Sequence, residues 1–256
     1  MTVFAEVLAR LSRAGAAALA GQWTWPEAGR GIEARYARDR AVEQEHVAAV
    51  AVAGEGRREP ARILALAQLA FGDARGVLAA LPEALLDGVT EPGEWTVRST
   101  CEHTIRVERS YRAAALWAVE REAGGPVVIP EARRPQTDPA DTEGSALDIV
   151  GRFELRRAET DRALEGLSEA ALSRPSVWSD IPVDLRFRLH RFASHIQEHT
   201  IQIEKSLEAL GWRPGDAPRA ARRLSVARAM HERTSPPEVL DRLDADHLAK
   251  AVALGV

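Results

Sequence analysis

The chain has 256 residues, with 34 Lys or Arg, 38 Asp or Glu and a formal net charge of −4. This length suits one large domain or one domain with extensions, and the slightly acidic charge argues against a nucleic-acid-binding protein. The single cysteine, Cys101, excludes an intramolecular disulfide and a metal site made of several cysteines. We find neither a secretory signal pattern nor a run of about 18 apolar residues that could cross a membrane, so we expect a cytoplasmic protein.

Residues with high helix propensity, mainly Ala, Leu, Glu and Arg, dominate the sequence and predict an all-α protein. Only 47–53 and 126–130 resemble strands. The first is diluted by alanine, and the second is bounded by prolines that favour an extended loop. In chain order, the pattern predicts a helix over 3–20, a break rich in Gly and Pro over 21–31, and a helix over 39–53.

Four long segments then show the three- and four-residue apolar spacing of amphipathic helices, which predicts a four-helix bundle. These segments cover residues 60–81, 96–122, 145–167 and 182–210. Thr96 is a predicted N-cap, Pro182 suits a first helical turn, and Gly211 suits a helix end. The connections over 88–95, 123–144 and 173–182 are predicted loops, and the longest could cover a functional site.

Beyond Gly211 the sequence predicts a basic helix over about 217–232 and a final helix. The final helix is expected to start at Ser235, where Ser-Pro-Pro-Glu resembles a capping box with a proline at the first helical position. We therefore divide the chain into three parts. They are an N-terminal helical extension (1–58), the four-helix bundle (59–212) and a C-terminal helical extension (213–256).

Two of the seven histidines, His195 and His199, are four residues apart on the last bundle helix and therefore share one of its faces. They lie on or beside the apolar stripe of that helix, where an imidazole must satisfy its ring nitrogens. A metal ion held by both would do so, and bundle interiors are common metal sites. Two interior histidines bonded to glutamates and backbone carbonyls are the structural alternative.

The segment around His103 is familiar from a known family. GEWTVRSTCEHTIRVERSY resembles the second helix of the DinB-like family, in which a Trp precedes a His by eight residues, as Trp95 precedes His103. HIQEHTIQI resembles the family's fourth-helix pattern, with His195, His199, Gln202 and Ile203 at the matching positions. LRRAETDRALEGLSEAALSRP is similar to its third helix and following turn. The resemblance covers about residues 60–212.

This resemblance implies a four-helix bundle that holds a divalent metal through His103, His195 and His199. Spacing alone would leave His103 as an exposed first-turn histidine. Three protein ligands leave positions open for water or substrate, as in catalytic sites. Three imidazoles suit zinc or nickel, and Gln202 could support His199 from behind or simply pack.

Other polar residues are expected to be structural. Cys101 projects about 160° away from His103 on the helical wheel and is predicted to fill the core. Trp95 is expected to anchor its loop in the core, and His190 to be solvated. Three further histidines have no evident partner in the sequence: His46, His231 and His247. Three glutamates are expected to be exposed: Glu102, Glu198 and Glu204. Three arginines form a basic spot that could hold an acidic substrate tail: Arg219, Arg222 and Arg223.

The resemblance also implies a function. Related proteins are metal-dependent transferases of low-molecular-weight thiols such as mycothiol or bacillithiol, so we expect an enzyme that transfers such a thiol to a small electrophilic substrate. With Cys101 turned away, the thiol would come from solution. A metal-dependent hydrolase, a non-enzymatic metal-binding stress module and a metal-free all-α scaffold are the alternatives. A homodimer is also possible, with the apolar face of helix 3–20 as its interface.

Overall fold

The computed structural model describes residues 2–25, 30–37, 40, 41, 44, 45, 48, 58–178 and 180–256. The long helices are α1 (Val3–Ser12), α3 (Glu59–Ala79), α4 (Val97–Glu120), α5 (Ala146–Leu164), α6 (Leu185–Ala209), α7 (Asp216–Ala229) and α8 (Pro237–Ala253). A short helix, α2 (Ala16–Ala20), precedes the antiparallel strands β1 (Gln22–Trp25) and β2 (Arg30–Glu33). A second antiparallel pair, β3 (Pro175–Trp178) and β4 (Ile181–Asp184), leads directly into α6. The all-α class is therefore confirmed, with only small strand pairs.

Helices α3, α4, α5 and α6 form the predicted four-helix bundle. Around the bundle the order is α3, α6, α4, α5, so α3 and α4, although consecutive, lie diagonally across the core. Their apolar faces bury Ile105 and Ile149 completely, and Phe71 meets Phe153 edge to face with ring centroids 4.9 Å apart. The amphipathic spacing in the sequence is thus explained by burial in one core.

Two of the three predicted helix-end signals in the bundle are confirmed. Thr96 Oγ1 accepts a hydrogen bond from Ser99 N at 3.1 Å and caps α4, and Gly211 follows the end of α6 with a φ of +82°. The prediction for Pro182 is wrong, because Pro182 lies in β4, and Asp184 caps α6 by accepting from Phe187 N at 2.8 Å. A two-stranded hairpin tolerates this proline because each strand is an edge.

The N-terminal predictions are only partly correct. The helix expected over 3–20 is interrupted between α1 and α2, and the expected break over 21–31 contains β1 and part of β2. Most of the helix predicted over 39–53, and of the strand-like run 47–53, lies outside the described residues, although positions 40, 41, 44, 45 and 48 are helical. The run 126–130 is not a strand.

The terminal helices pack closely on the bundle. Phe4, Val7 and Leu8 of α1 are buried in a second apolar cluster together with Leu224 of α7. Helix α7 also approaches α3 so closely that a Cβ atom at Gly76 would lie 2.6 Å from Arg222 Cα. The apolar face of α1 is therefore buried within the chain and is not free to form the suggested dimer interface. The homodimer itself and the three-part division remain predictions.

The capping box predicted for the final helix is absent. Pro236 occupies the N-cap position of α8 and Pro237 the first helical position, without a side-chain cap. Ser235 instead places its Oγ 2.7 Å from His231 Nδ1, because that ring is buried and needs a partner. Within the described part of the chain, no helix is both long and apolar enough to cross a membrane.

Candidate metal centre

The three histidines named by the family resemblance come together in the bundle. His195 and His199 lie one turn apart on α6, and His103 faces them from the first half of α4. His195 Nε2 is 3.0 Å from His199 Nε2 and 3.2 Å from His103 Nε2. His195 and His199 are buried, whereas His103 is partly exposed. The three Nε2 atoms therefore converge on one point with an opening on the His103 side.

The spacing of these nitrogens suits a metal ion. Two imidazole nitrogens that bind one tetrahedral zinc ion at about 2.0–2.1 Å lie about 3.3 Å from each other. The observed separations of 3.0 and 3.2 Å are close to this value. All ligand atoms lie within 4.8 Å of one another, so a small shift would suffice for coordination.

The outer ring nitrogens indicate a conflict between protons and lone pairs when all three imidazoles are neutral. His199 Nδ1 lies 2.8 Å from Gln202 Oε1, an acceptor, so His199 carries its proton on Nδ1 and a lone pair on Nε2. His103 Nδ1 accepts from Arg106 Nη2 at 3.1 Å, which puts the His103 proton on Nε2. His195 Nε2 then faces the lone pair of His199 Nε2 on one side and the N–H of His103 Nε2 on the other. If His195 Nε2 carries a proton, its contact with His103 is repulsive, and if it carries a lone pair, its contact with His199 is repulsive.

A cation would remove this conflict. His199 already presents its lone pair, and His103 would do so after changing to the tautomer with the proton on Nδ1. That change requires Arg106 to move, which is feasible because its side chain is exposed. The donor set of three neutral imidazoles is one that zinc, nickel and similar ions accept.

Burial keeps the imidazoles of His103 and His195 neutral. Desolvation, together with the neighbouring His199 and Arg106, lowers the pKa of His103 to about 4. Desolvation, with the adjacent His199 and His103, lowers the pKa of His195 to about 3. Both rings are therefore unprotonated at neutral pH, which is the state that binds metal.

Aromatic side chains enclose the histidines. The prediction that Trp95 anchors its loop in the core is wrong, because Trp95 is 41% exposed and lies over the site. Its ring centroid is 5.0 Å from that of His103 and 6.3 Å from that of His199. Tyr111 meets His195 edge to face at 5.6 Å. Only the Trp95–His103 spacing in the family pattern could have indicated this placement.

Cys101, His190, Glu198 and Arg222 are not part of the histidine cluster. Cys101 is buried in the bundle core, and burial raises the pKa of its thiol to about 12, so it is neither nucleophile nor ligand. His190 and Glu198 are exposed, as expected. Arg222 is not free for a substrate tail, because it pairs with Asp73 at 2.6 Å and with Glu204 at 2.5 Å.

The expectation that His231 and His247 lack partners is wrong, and His46 lies outside the described residues. The rings of His231 and His247 both form hydrogen bonds with Glu45, and the bond from His247 Nε2 is 2.8 Å long. Arg228 Nε lies 2.9 Å from each oxygen of the same carboxylate. These side chains are buried where the N-terminal segment meets α7 and α8. The sequence could not show this cluster because Glu45 is 186 and 202 residues away from the two histidines.

A cavity of about 430 Å³ lies beside the histidine site. Arg106 and Tyr111 belong both to its lining and to the surroundings of the histidines. The loop over 123–144 forms another wall, through residues between Val127 and Thr137. This loop therefore lines the cavity beside the candidate site, and its covering of the site itself remains a prediction.

Comparisons with known proteins agree with this architecture. The family model of the DinB superfamily matches residues 67–203, a stretch that contains all three histidines. A similar solved structure is YfiT from Bacillus subtilis, described as a probable metal-dependent hydrolase with an unusual four-helix bundle topology. The likeness has a TM-score of 0.50 at 14% identity and covers 63% of this chain and 93% of YfiT. At this identity it shows the fold alone, and the curated proteins contain no match. Because the family model matches more than half of the residues of this chain, the chain belongs to the DinB superfamily.

Proposed function

We propose that this protein is a metal-dependent enzyme whose divalent ion, zinc or nickel, is held by His103, His195 and His199. The observation that carries the proposal is the convergence of three Nε2 atoms, which leaves one repulsive contact when all three imidazoles are neutral and which a cation would relieve. Three ligands from the protein leave room for a further ligand from solution, as in catalytic sites. The neighbouring cavity supports an enzyme rather than a closed, non-enzymatic metal module.

The favoured reaction is transfer of a low-molecular-weight thiol, similar to mycothiol or bacillithiol, to an electrophile. A divalent ion at this site would lower the pKa of a thiol or a water molecule. In the transfer, the thiol sulfur forms a bond to the electrophilic atom and the leaving group departs with the bonding electrons. The thiol proton passes to solvent. The thiol is external because Cys101 is buried and protonated.

The surrounding residues have supporting roles in this proposal. Gln202 accepts from His199 Nδ1 and holds that ring with its Nε2 lone pair directed at the cluster. Trp95 and Tyr111 limit the access of water to two of the rings. Arg106, which donates to His103 and lines the cavity, turns away when His103 presents its Nε2 lone pair.

Hydrolysis is the second candidate reaction. It is favoured by one observation, the description of YfiT, a protein of the same fold, as a probable metal-dependent hydrolase. The same three histidines would hold the ion, and water would replace the thiol as the nucleophile. The two reactions therefore differ in the second substrate and share the site.

Activity measurements on metal-loaded protein would separate these functions. Wild type and His199→Ala would be incubated with a model electrophile, each with mycothiol, with bacillithiol and with neither thiol. Thiol transfer predicts thioether product in wild type only, dependent on a thiol and lost in His199→Ala. Product formed in wild type without thiol indicates hydrolysis. Absence of product in all wild-type reactions, together with no heat of binding for either thiol, would contradict the proposed thiol transfer.

A further inference from the structure

The cavity beside the histidine site contains an arginine without a carboxylate partner. Arg188 lies on α6, one residue before the buried Leu189 and seven residues before His195. Its Nε donates to Ser176 Oγ at 3.3 Å, and its guanidinium lies 5.2 Å from the centre of the Tyr111 ring. The ring of Tyr111 also contacts His195, with the two ring centroids 5.6 Å apart. One tyrosine ring therefore touches both the arginine and a candidate metal ligand.

The terminal nitrogens of Arg188 are available to a ligand. Among the described residues, neither Nη1 nor Nη2 forms a hydrogen bond, and the side chain forms no ion pair. Burial lowers the pKa of Arg188, and the nearby Tyr111 only partly offsets this effect. A partly buried guanidinium in this state gains from an anion that approaches its free edge.

The other buried arginines behave differently. Three of them each form ion pairs with two carboxylates. Arg75 pairs with Glu154 and Glu232. Arg157 pairs with Glu108 and Asp161, and Arg228 pairs with Glu45 and Asp244. Burial alone would lower their pKa values, but the paired carboxylates raise them. Arg121, which is also buried, has no carboxylate partner among the described residues, and its terminal nitrogens donate to the carbonyl oxygens of Gly125 and Pro175. Arg188 differs from these four arginines because its terminal nitrogens form no hydrogen bond within the described residues.

The rest of the cavity wall combines apolar surface with little opposing charge. Trp117, Val127 and Ile129 supply apolar area from α4 and the long loop. Arg134 is paired with Glu131 at 2.8 Å. Asp180 also lines the cavity, but forms no ion pair with a described residue. Ser110, Gln136 and Thr137 add polar surface to the wall. The cavity therefore suits a small molecule with one anionic group and an apolar part that lies against Trp117, Val127 and Ile129.

We propose that Arg188 binds the carboxylate of the substrate and thereby places the apolar part of that substrate in the cavity next to the histidine site. A carboxylate matches the planar donor edge of a guanidinium through two parallel hydrogen bonds. This assignment names a substrate class, small carboxylates with an apolar body, and it rests on the proposed function because the histidine site supplies the chemistry. Arg188 is a binding residue in this scheme.

Binding of phenylacetate and of its neutral counterpart phenylacetamide tests the assignment. Calorimetry on the full, metal-loaded chain is expected to show that wild type prefers phenylacetate. Arg188→Met is expected to weaken phenylacetate binding about 10- to 100-fold and to leave phenylacetamide unchanged. Arg186→Met is the matched control, since Arg186 lies two residues earlier on the same helix, outside the cavity, and pairs with Glu59 at 2.6 Å.

Two further variants make the outcome decisive. Arg188→Lys keeps the charge but loses the planar donor pair, so an intermediate affinity is expected, and it serves if Arg188→Met fails to fold by circular dichroism. Phenylacetate binding that survives both Arg188 variants and disappears in His199→Ala would place the carboxylate on the metal and overturn the assignment. Equal affinity of wild type for acid and amide would also overturn it. Arg188-dependent binding by a wild-type chain that takes up no metal ion during loading would support the assignment and contradict the proposed function.

Discussion

Two buried histidine clusters in this chain use the same side chain in opposite ways. At the bundle site, three imidazoles direct their Nε2 atoms at one another at 3.0 and 3.2 Å. In the terminal cluster, the Glu45 carboxylate lies between His231, His247 and Arg228 and accepts a hydrogen bond from each. The imidazoles of the terminal cluster already have an anion, whereas those of the bundle site still need a cation.

The difference teaches that several lone pairs directed at one point, rather than the number of histidines, indicate a metal site. In the terminal cluster, His247 Nδ1 is buried without a hydrogen-bond partner among the described residues, but it is a single nitrogen. Arg228 would repel a cation at the terminal cluster, and its own charge is balanced by Glu45 and Asp244. Among the described residues, no positive side chain bonds to the three Nε2 atoms of the bundle site, and Arg106, which bonds to His103 Nδ1, is exposed and able to leave. We therefore assign stability to the terminal cluster and metal binding to the bundle site.

Removal of Glu45 is expected to have the largest effect on stability. In Glu45→Ala, a buried guanidinium and two imidazoles lose their shared acceptor, and loss of one partner from a buried ion pair destabilises a protein by about 3–5 kcal/mol. Urea denaturation measures the free energy of unfolding. The control Glu33→Ala removes an exposed partner of Arg35 and should cost about 1 kcal/mol or less. An equal loss of unfolding free energy in Glu45→Ala and Glu33→Ala would contradict the structural role assigned to the terminal cluster.

Gln202 tests the bundle site in the same way. Gln202→Leu removes the acceptor that fixes the His199 tautomer, so we expect metal affinity to fall about 10- to 100-fold while the free energy of unfolding of the metal-free protein changes little. A competition assay with a coloured chelator measures the affinity. Gln197→Leu, an exposed change on the same helix, is the control. Unchanged affinity in Gln202→Leu would show that the amide merely packs against the ring.

The smallest expected effect is the contribution of His247 to the loss of stability in mild acid. Burial, only partly offset by Glu45, lowers the pKa of His247 from its usual 6.5. Between pH 7.5 and 5.5 the unfolded chain takes up more of a proton at this residue than the native chain does, so stability falls as the pH is lowered. The loss from His247 is at most about 1.4 kcal/mol and should be absent in His247→Gln. Denaturation at both pH values measures it, and an identical pH dependence in the two proteins would contradict this account.

The sequence predicted the bundle more fully than it predicted the sites. The apolar periodicity and the Thr96 and Gly211 signals located the bundle helices because these depend on nearby residues. The pairing of His195 with His199 follows from helix geometry alone. His103 was added only by the family resemblance, since contacts between helices are not written in residue spacing.

The misses have the same physical cause. Trp95 was expected in the core because large aromatic side chains usually are buried, yet its position over His103 depends on how its loop docks. Pro182 suited a helix start, but local strand pairing and the Asp184 cap moved that start to Leu185. The role of Glu45 depends on its contacts with His231, His247 and Arg228, and the role of Arg188 depends on the lack of a carboxylate partner among the described residues. A single sequence does not show which side chains meet in the folded protein.

Metal analysis of protein purified without a histidine tag tests the central claim most directly. Wild type, His199→Ala and His247→Gln would be measured by mass spectrometry of the bound elements after gel filtration. Our account predicts about one divalent ion per chain in wild type and in His247→Gln, and none in His199→Ala. Wild type without stoichiometric metal, or loss of metal in His247→Gln but not in His199→Ala, would contradict it.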